Sequence, residues 1–163
     1  MTISHLIIDG YNLIGTAHQD LRKQRELLVD SLVSYRRLTG HDITVVFDGW
    51  RTGQGQESRS VIGGIKVVYS RLAEKADEVI KRIISSGKKE YIVVTSDREI
   101  ADHAWASGSV PVASDEFLKV FTRKRYVSDK EENEDEYTAR QRKGNPRQLS
   151  KKEKALRKAI SRL

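Results

Sequence analysis

The sequence has no cysteine. Disulfides and thiolate metal sites are therefore excluded, which suits a reducing, cytoplasmic setting. It also lacks any apolar run of membrane-spanning length. The short run at residues 6–8 stops at Asp9, so neither a signal peptide nor a membrane helix is expected. No internal repeat is visible, and the four histidines show no ligand spacing that would suit zinc. Hydrophobic residues are scarce at 37% against 33% charged, so part of the chain should be poorly buried.

The 163 residues suffice for one domain with a real core and a tail. The net charge of +7 is unevenly placed. Residues 1–122 hold 16 basic and 16 acidic side chains, whereas residues 123–163 hold 14 basic and 7 acidic ones. Within that tail an acidic block at 129–136 precedes a stretch, 137–163, in which Glu153 is the one acid. Residues 1–122 are thus neutral, and the chain is read as a body, 1–125, and a charged, largely basic extension, 126–163.

The body alternates between strand and helix patterns. Apolar, β-branched runs at 3–9, 43–48, 65–69, 91–95 and 110–113 read as strands, and Leu21, Leu28, Leu32 and Tyr35 recur at helical spacing before a stop at Gly40. Further helices are expected at about 73–86, 97–107 and 115–122, with 51–64 as a long loop. Such alternation predicts a parallel sheet covered by helices on both faces. In the tail, Ser150 and Glu153 have capping-box spacing and predict a last helix whose stripe of Leu156, Ala159, Ile160 and Leu163 needs a surface to dock on.

In an open parallel sheet, ligands bind outside the carboxyl ends of the strands. Asp9, Asp48 and Asp97 each lie at or just beyond such an end, and Asp77 falls in the first turn of a helix on the border of its apolar stripe. Crowded carboxylates raise one another's proton affinity unless a cation sits among them. Hard dications with oxygen ligands, Mg²⁺ or Mn²⁺, suit such a set and support hydrolysis of a phosphodiester. Each acid also has an ordinary alternative. Asp9-Gly10 and Asp48-Gly49 are common turn dipeptides, Asp97 is suited to cap the next helix, and Asp77 is favoured by the helix dipole. Asn12 is placed to orient a phosphate or water, and Tyr11 and Trp50 to stack on a base or to pack in the core. Asp102, Asp115 and Glu116 read as solvated or first-turn acids, and His18, His41 and His103 show no partner pattern.

Together "IIDGYNLIG", "VVFDGW", "YSRLAEKADEVI" and "VVTSDREIADHA" resemble the YacP-like branch of the NYN domains, within the PIN-like nucleases, over roughly residues 3–125. The resemblance implies a PIN-like three-layer α/β sandwich with a mostly parallel central sheet. It further implies a Mg²⁺ or Mn²⁺ site and endonucleolytic cleavage of RNA, with some bacterial relatives acting in association with ribosomes. The family's acidic cluster maps onto Asp9, Asp77 and Asp97, with Asp48 nearby and Asn12 as polar companion. Lys75 departs from the threonine common in relatives; it is either a phosphate contact or a surface residue. Arg142, Lys143 and Arg147 in the tail are candidate RNA contacts of the salt-sensitive, sequence-independent kind. Two other functions fit the residues: a non-catalytic RNA- or ribosome-binding module, and an aspartyl-phosphate phosphotransferase, disfavoured because Tyr11 occupies the place of its second acid. The tail itself is otherwise a solubilising extension.

Overall fold

The computed structural model describes residues 3–14, 20–49, 55–130 and 149–163, with backbone only for 125–130. In chain order the elements are β1 (His5–Asp9), α1 (Gly10–Ile14), α2 (Leu21–Thr39), β2 (Asp42–Phe47), β3 (Ser58–Ile62), β4 (Ile65–Tyr69), α3 (Ala76–Ser86), β5 (Tyr91–Val94), α4 (Arg98–Ala106), β6 (Val110–Val112), α5 (Ser114–Lys130) and α6 (Lys151–Arg162). One six-stranded sheet has the order β3-β4-β2-β1-β5-β6, parallel except where β3 runs antiparallel to β4. This is the α/β sandwich with a mostly parallel central sheet.

Alternation along the strands builds two cores. Leu6 and Ile8 of β1 face α1, α2, α5 and α6 in a cluster with Leu32, Tyr35, Phe47 and Phe117, whereas Ile7 faces α3 and α4 with Val46, Val79, Ile80 and Ile100. β1 is thus buried on both faces, as a central parallel strand must be. By the same alternation Asp9 and Asp48 continue the face of Ile7 and Val46, towards α3 and α4.

Local signals account for most element ends. Asp20 caps α2 by accepting from the Arg22 N–H at 3.0 Å, and Gly40 ends it in the left-handed region at φ 72°. The 51–64 loop expectation is corrected, because residues 58–62 form edge strand β3. The turn into β4 is Gly63-Gly64, at φ 55° and 84°, a two-residue hairpin with positive φ at both positions, where glycine meets no Cβ penalty. Polar Ser58, Arg59 and Ser60 hid the strand from a hydrophobicity pattern.

The Asp-Gly pairs are not left-handed turns; neither glycine has positive φ. A Cβ on Gly10 would lie 2.2 Å from the Phe47 ring, and one on Gly49 would lie 1.4 Å from the Ser70 carbonyl oxygen. These glycines let neighbouring chain approach the strand ends.

α5 runs on to Lys130, across residue 125. The last helix is capped by the Ser150–Glu153 box and docks its apolar stripe, with Ala159 and Leu163 buried in the core around Tyr35. The Tyr35 hydroxyl donates to the Leu163 carbonyl at 2.5 Å, and the Lys124 ammonium donates to the same oxygen. Among the described residues no helix is long and apolar enough to cross a membrane.

Gly49→Ala should lower unfolding free energy by about 3 kcal/mol, since rigid backbone must move. Gly40→Ala, strained in φ but spatially open, should cost about 1 kcal/mol. Urea denaturation of both variants checks the ranking.

Candidate active site

Asp9 ends the central strand. Register pairs it with Val46 of β2, and Ile8 pairs with Val94 of β5, so Thr95 and Asp48 lie at or just beyond its level. The chain moves to one side of β1 through β2 and β4, then returns to the other side at β5. The crevice beside Asp9 is therefore the topological switch point, where open α/β sheets bind ligands.

The Thr95 hydroxyl donates to Asp9 Oδ2 at 3.5 Å and accepts from the Asp97 N–H at 3.0 Å, tying the two acids through one side chain. Burial raises the Asp9 carboxyl from its ordinary range to about 6, helped by the negative charges of Asp48 and Asp97 and opposed by hydrogen bonds from the Asn12 backbone and Thr95. The structure thus brings Asp9, Asp48 and Asp97 within electrostatic reach of one another.

Two of these acids also cap helices. Asp48 Oδ1 accepts from the Ala76 N–H at 2.5 Å and serves the N-terminus of α3, whose own N-cap, Lys75, makes no side-chain cap bond. Asp97 Oδ1 accepts from the N–H groups of Glu99 and Ile100 at 2.8 and 3.3 Å, starting α4. Capping by Asp97 is thus real, and the neighbouring Ser96 Oγ accepts from the Ser114 N–H. In both acids the cap bonds take one oxygen.

Asp77 stands apart in detail. It follows Ala76, whose N–H is bound to Asp48, and its Oδ2 lies 3.8 Å from the Lys81 ammonium. Its Oδ1 is buried with no hydrogen-bond partner. As these side chains stand, no group of three or more His, Asp or Glu among the described residues could hold a metal ion.

Asn12 Oδ1 accepts from the Ser96 N–H at 2.9 Å and the Ser114 hydroxyl at 2.5 Å. The Ser96 N–H, which can only donate, fixes which side of the amide is oxygen, and Asn12 is exposed. Lys75 is exposed beside the acids. Thr95, Ser96 and Ser114 escaped sequence reasoning. Their signal was a run of hydroxyl residues at strand ends, which by itself also describes ordinary turns. Ser70 is a further hidden support: buried at the end of β4, its Oγ accepts from the Gly49 N–H and donates to the Glu74 carbonyl.

The aromatic candidates resolve in part. Tyr11 packs edge-on to Phe47 at 5.2 Å, and its hydroxyl accepts from Arg25 at 2.8 Å, so it belongs with the core wall. His41 is buried, accepts from the Ser4 N–H through Nδ1, and has its proton affinity lowered first by that burial. His103 shares a hydrogen bond with Ser85 at 2.9 Å. Asp102 is exposed on α4, and Asp115 and Glu116 sit in the first turn of α5. Trp50, His18, Arg142, Lys143 and Arg147 lie outside the described residues.

A family model for the YacP-like NYN domain matches residues 6–161. The chain belongs to the YacP-like NYN domain family. NYN domains are PIN-like nucleases, so a nuclease-type hydrolase is the class in which this NYN domain falls. A curated relative, the uncharacterized protein YacP of Bacillus subtilis (strain 168), is 27% identical over 124 residues, covering 70% of this chain and 72% of that protein. Two crystal structures of Rae1 (YacP) from Bacillus subtilis share the fold. The W164L mutant superposes with a TM-score of 0.61 at 22% identity, covering 78% of this chain and 81% of that one. The other has a TM-score of 0.59 at 26% identity, covering 81% and 80%.

The raised Asp9 carboxyl has a consequence for stability. A carboxyl bound more tightly to its proton in the folded state stabilises the fold fully below about pH 4, and that contribution is lost as pH rises through about 6. Asp9→Asn removes the charge and should make the NYN domain more stable than the parent above pH 6, by about 2 kcal/mol after screening at the open mouth. The two proteins should match below pH 4. Urea denaturation at pH 4 and pH 8 checks this, and parallel curves at both would mean that the acids do not crowd.

Proposed function

We propose that this NYN domain is a metal-dependent endoribonuclease in the cytoplasm, with Asp9, Asp77 and Asp97 as catalytic carboxylates and Asp48 as a fourth metal ligand. The observation that carries the reading is the Asp9 carboxyl, raised to about 6 by burial and by Asp48 and Asp97 at the switch point of the sheet. The donors fit Mg²⁺ or Mn²⁺ in kind: all are carboxylate oxygens, and the buried Asp77 Oδ1 lacks a partner. Closure around an ion requires Asp48 and Asp97 to turn outward from their caps or to offer their second oxygens. A bound dication supplies positive charge that acidifies an attacking water and stabilises the leaving oxygen.

The chain's own residues then have defined tasks. Thr95 holds Asp9 and Asp97 in register, so that ionised Asp9 accepts a hydrogen bond from the water and orients it. Asn12, its oxygen pinned by Ser96 and Ser114, offers its amide nitrogen to a phosphate oxygen. Lys75, exposed and without an ion-pair partner among the described residues, places a cation on the approaching strand. Arg142, Lys143 and Arg147 add salt-sensitive affinity for RNA, including RNA presented on a ribosome.

Asp9→Asn and Asp97→Asn should each lower Mn²⁺-supported cleavage of single-stranded RNA by about 10³-fold or more, with binding unchanged, as measured on labelled RNA by gel and by anisotropy. Mn²⁺ should raise the melting temperature of the parent at pH 8 and do so less at pH 5, where Asp9 holds its proton. A second reading, an RNA-binding module without catalysis, is favoured by the capping roles of Asp48 and Asp97. RNA binding with neither cleavage nor a Mn²⁺ shift would decide for it. The tail contacts are best tested by Arg142→Ala, Lys143→Ala and Arg147→Ala together, because truncation would also strip buried Ala159 and Leu163 from the core.

A further inference from the structure

Two cavities open near the starts of β1 and β5, and the larger crosses the sheet from His5, Asp42 and Tyr91 to Val68 and Arg59, which lie level with Asp9 in the register. The larger, about 380 Å³, has Arg59, Lys66 and Lys89 at its edge and Val61, Ile83 and Tyr91 among its walls. The smaller, about 300 Å³, shares His5 and Lys89 with it and extends to Ile3 and to Arg162 of α6. The two adjoin at His5 and Lys89, and together they make a groove from edge strand β3 round the start of β1 to the C-terminal helix.

The groove is cationic with an apolar floor. The carboxylates in and beside it are already engaged, Asp42 with His5 and Lys66, both at 3.1 Å, Glu90 with Arg162 at 3.8 Å and Glu57 with Arg59 at 2.8 Å. A phosphate would therefore replace Glu57, Asp42 and Glu90 in exposed ion pairs of small worth. Burial opposes ionisation of Asp42, yet the hydrogen bonds from His5 and Lys66 hold its carboxyl below the ordinary range, so this acid stays charged and paired. Lys89 has no ion-pair partner among the described residues. Val61 and Ile3 are among the most exposed apolar side chains, at 69% and 62%, and both line the groove. His5 and Tyr91 meet edge to face at 6.3 Å at its centre.

We propose that this groove binds a single-stranded segment of RNA, with phosphates on Arg59, Lys66, Lys89 and Arg162 and bases against Val61, Ile3 and the Tyr91 edge. A positive channel with apolar and aromatic contacts for bases is the general means of holding single strands without reading their sequence. His5 lies four residues before Asp9 on β1, about 13 Å of strand, so the groove takes nucleotides flanking those at the acids. The inference rests on the reading that the chain acts on RNA, but it concerns binding alone.

The test uses the full chain in EDTA, with a labelled unstructured RNA of about 20 nucleotides titrated by anisotropy across a salt series. Arg59→Ala with Lys89→Ala should weaken binding about 10-fold and reduce the slope of log K against log salt by about 1.4, two single-strand phosphate contacts. Val61→Glu should weaken it comparably. Lys23→Ala, an exposed cation on α2, should change nothing, and a tetranucleotide should bind parent and variants alike. Circular dichroism confirms that the variants fold. The proposal is overturned if the double variant binds the long RNA as the parent does or loses no more than Lys23→Ala, or if the parent binds poly-glutamate in preference to RNA. RNA bound through the groove without cleavage under Mn²⁺ would overturn the nuclease reading and leave the groove standing. Cleavage with unaltered binding in the groove variants would do the reverse.

Discussion

A carboxylate at the end of a doubly buried strand governs this molecule. β1 has parallel neighbours on both sides and helices on both faces, so its last residue, Asp9, has little water around it and two other acids within reach. Leaving water is costly for a carboxylate, and like charges add to that cost. The surroundings offset part of it. The Asn12 N–H and Thr95 hydroxyl donate to Asp9, while Asp48 and Asp97 each face a helix N-terminus, where exposed N–H groups favour negative charge. Residual crowding remains in the carboxyl that titrates near 6.

The supports of the site come from every part of the chain. Gly49 lets the loop after β2 lie against the Ser70 carbonyl, and Ser70 joins that loop to the turn before α3. Asn12 ties the loop after β1 to the turn after β5 and to the start of α5. Far from the acids, α6 seals the core around Tyr35 and carries Lys151, Lys154, Arg157 and Lys158 on its exposed side. The acids Asp9, Asp48 and Asp97 gather at the carboxyl ends of the strands, whereas at the strand starts Asp42 and Glu90 are paired with His5, Lys66 and Arg162.

Much of this was legible beforehand. Strands β1, β2, β4, β5 and β6 announced themselves because buried parallel strands need unbroken apolar runs, and α6 did so because a capping box is local. β3 was missed because an edge strand buries little and its residues carry no apolar pattern. The short helix α1, Gly10–Ile14, was missed for want of length. Asp9, Asp48 and Asp97 were brought together as the strand ends implied, since parallel strands in register deliver their last residues to one edge. Asp77 was placed near them by helix periodicity, but periodicity sets a face and not a distance, and it did not foretell the Lys81 ammonium 3.8 Å from its Oδ2 or the buried Oδ1 without a partner.

What the sequence determined by itself was the alternation of strands and helices, the edge at which the acids gather, and the family to which the chain belongs. Those depend on short-range pattern, which survives without knowledge of neighbours. Only the tertiary structure decided that Asp48 caps a helix 28 residues further on, that a threonine links Asp9 to Asp97, and that two glycines serve close packing instead of turns. Each is a contact between segments distant in the chain, and its partner is set by how the whole sheet packs.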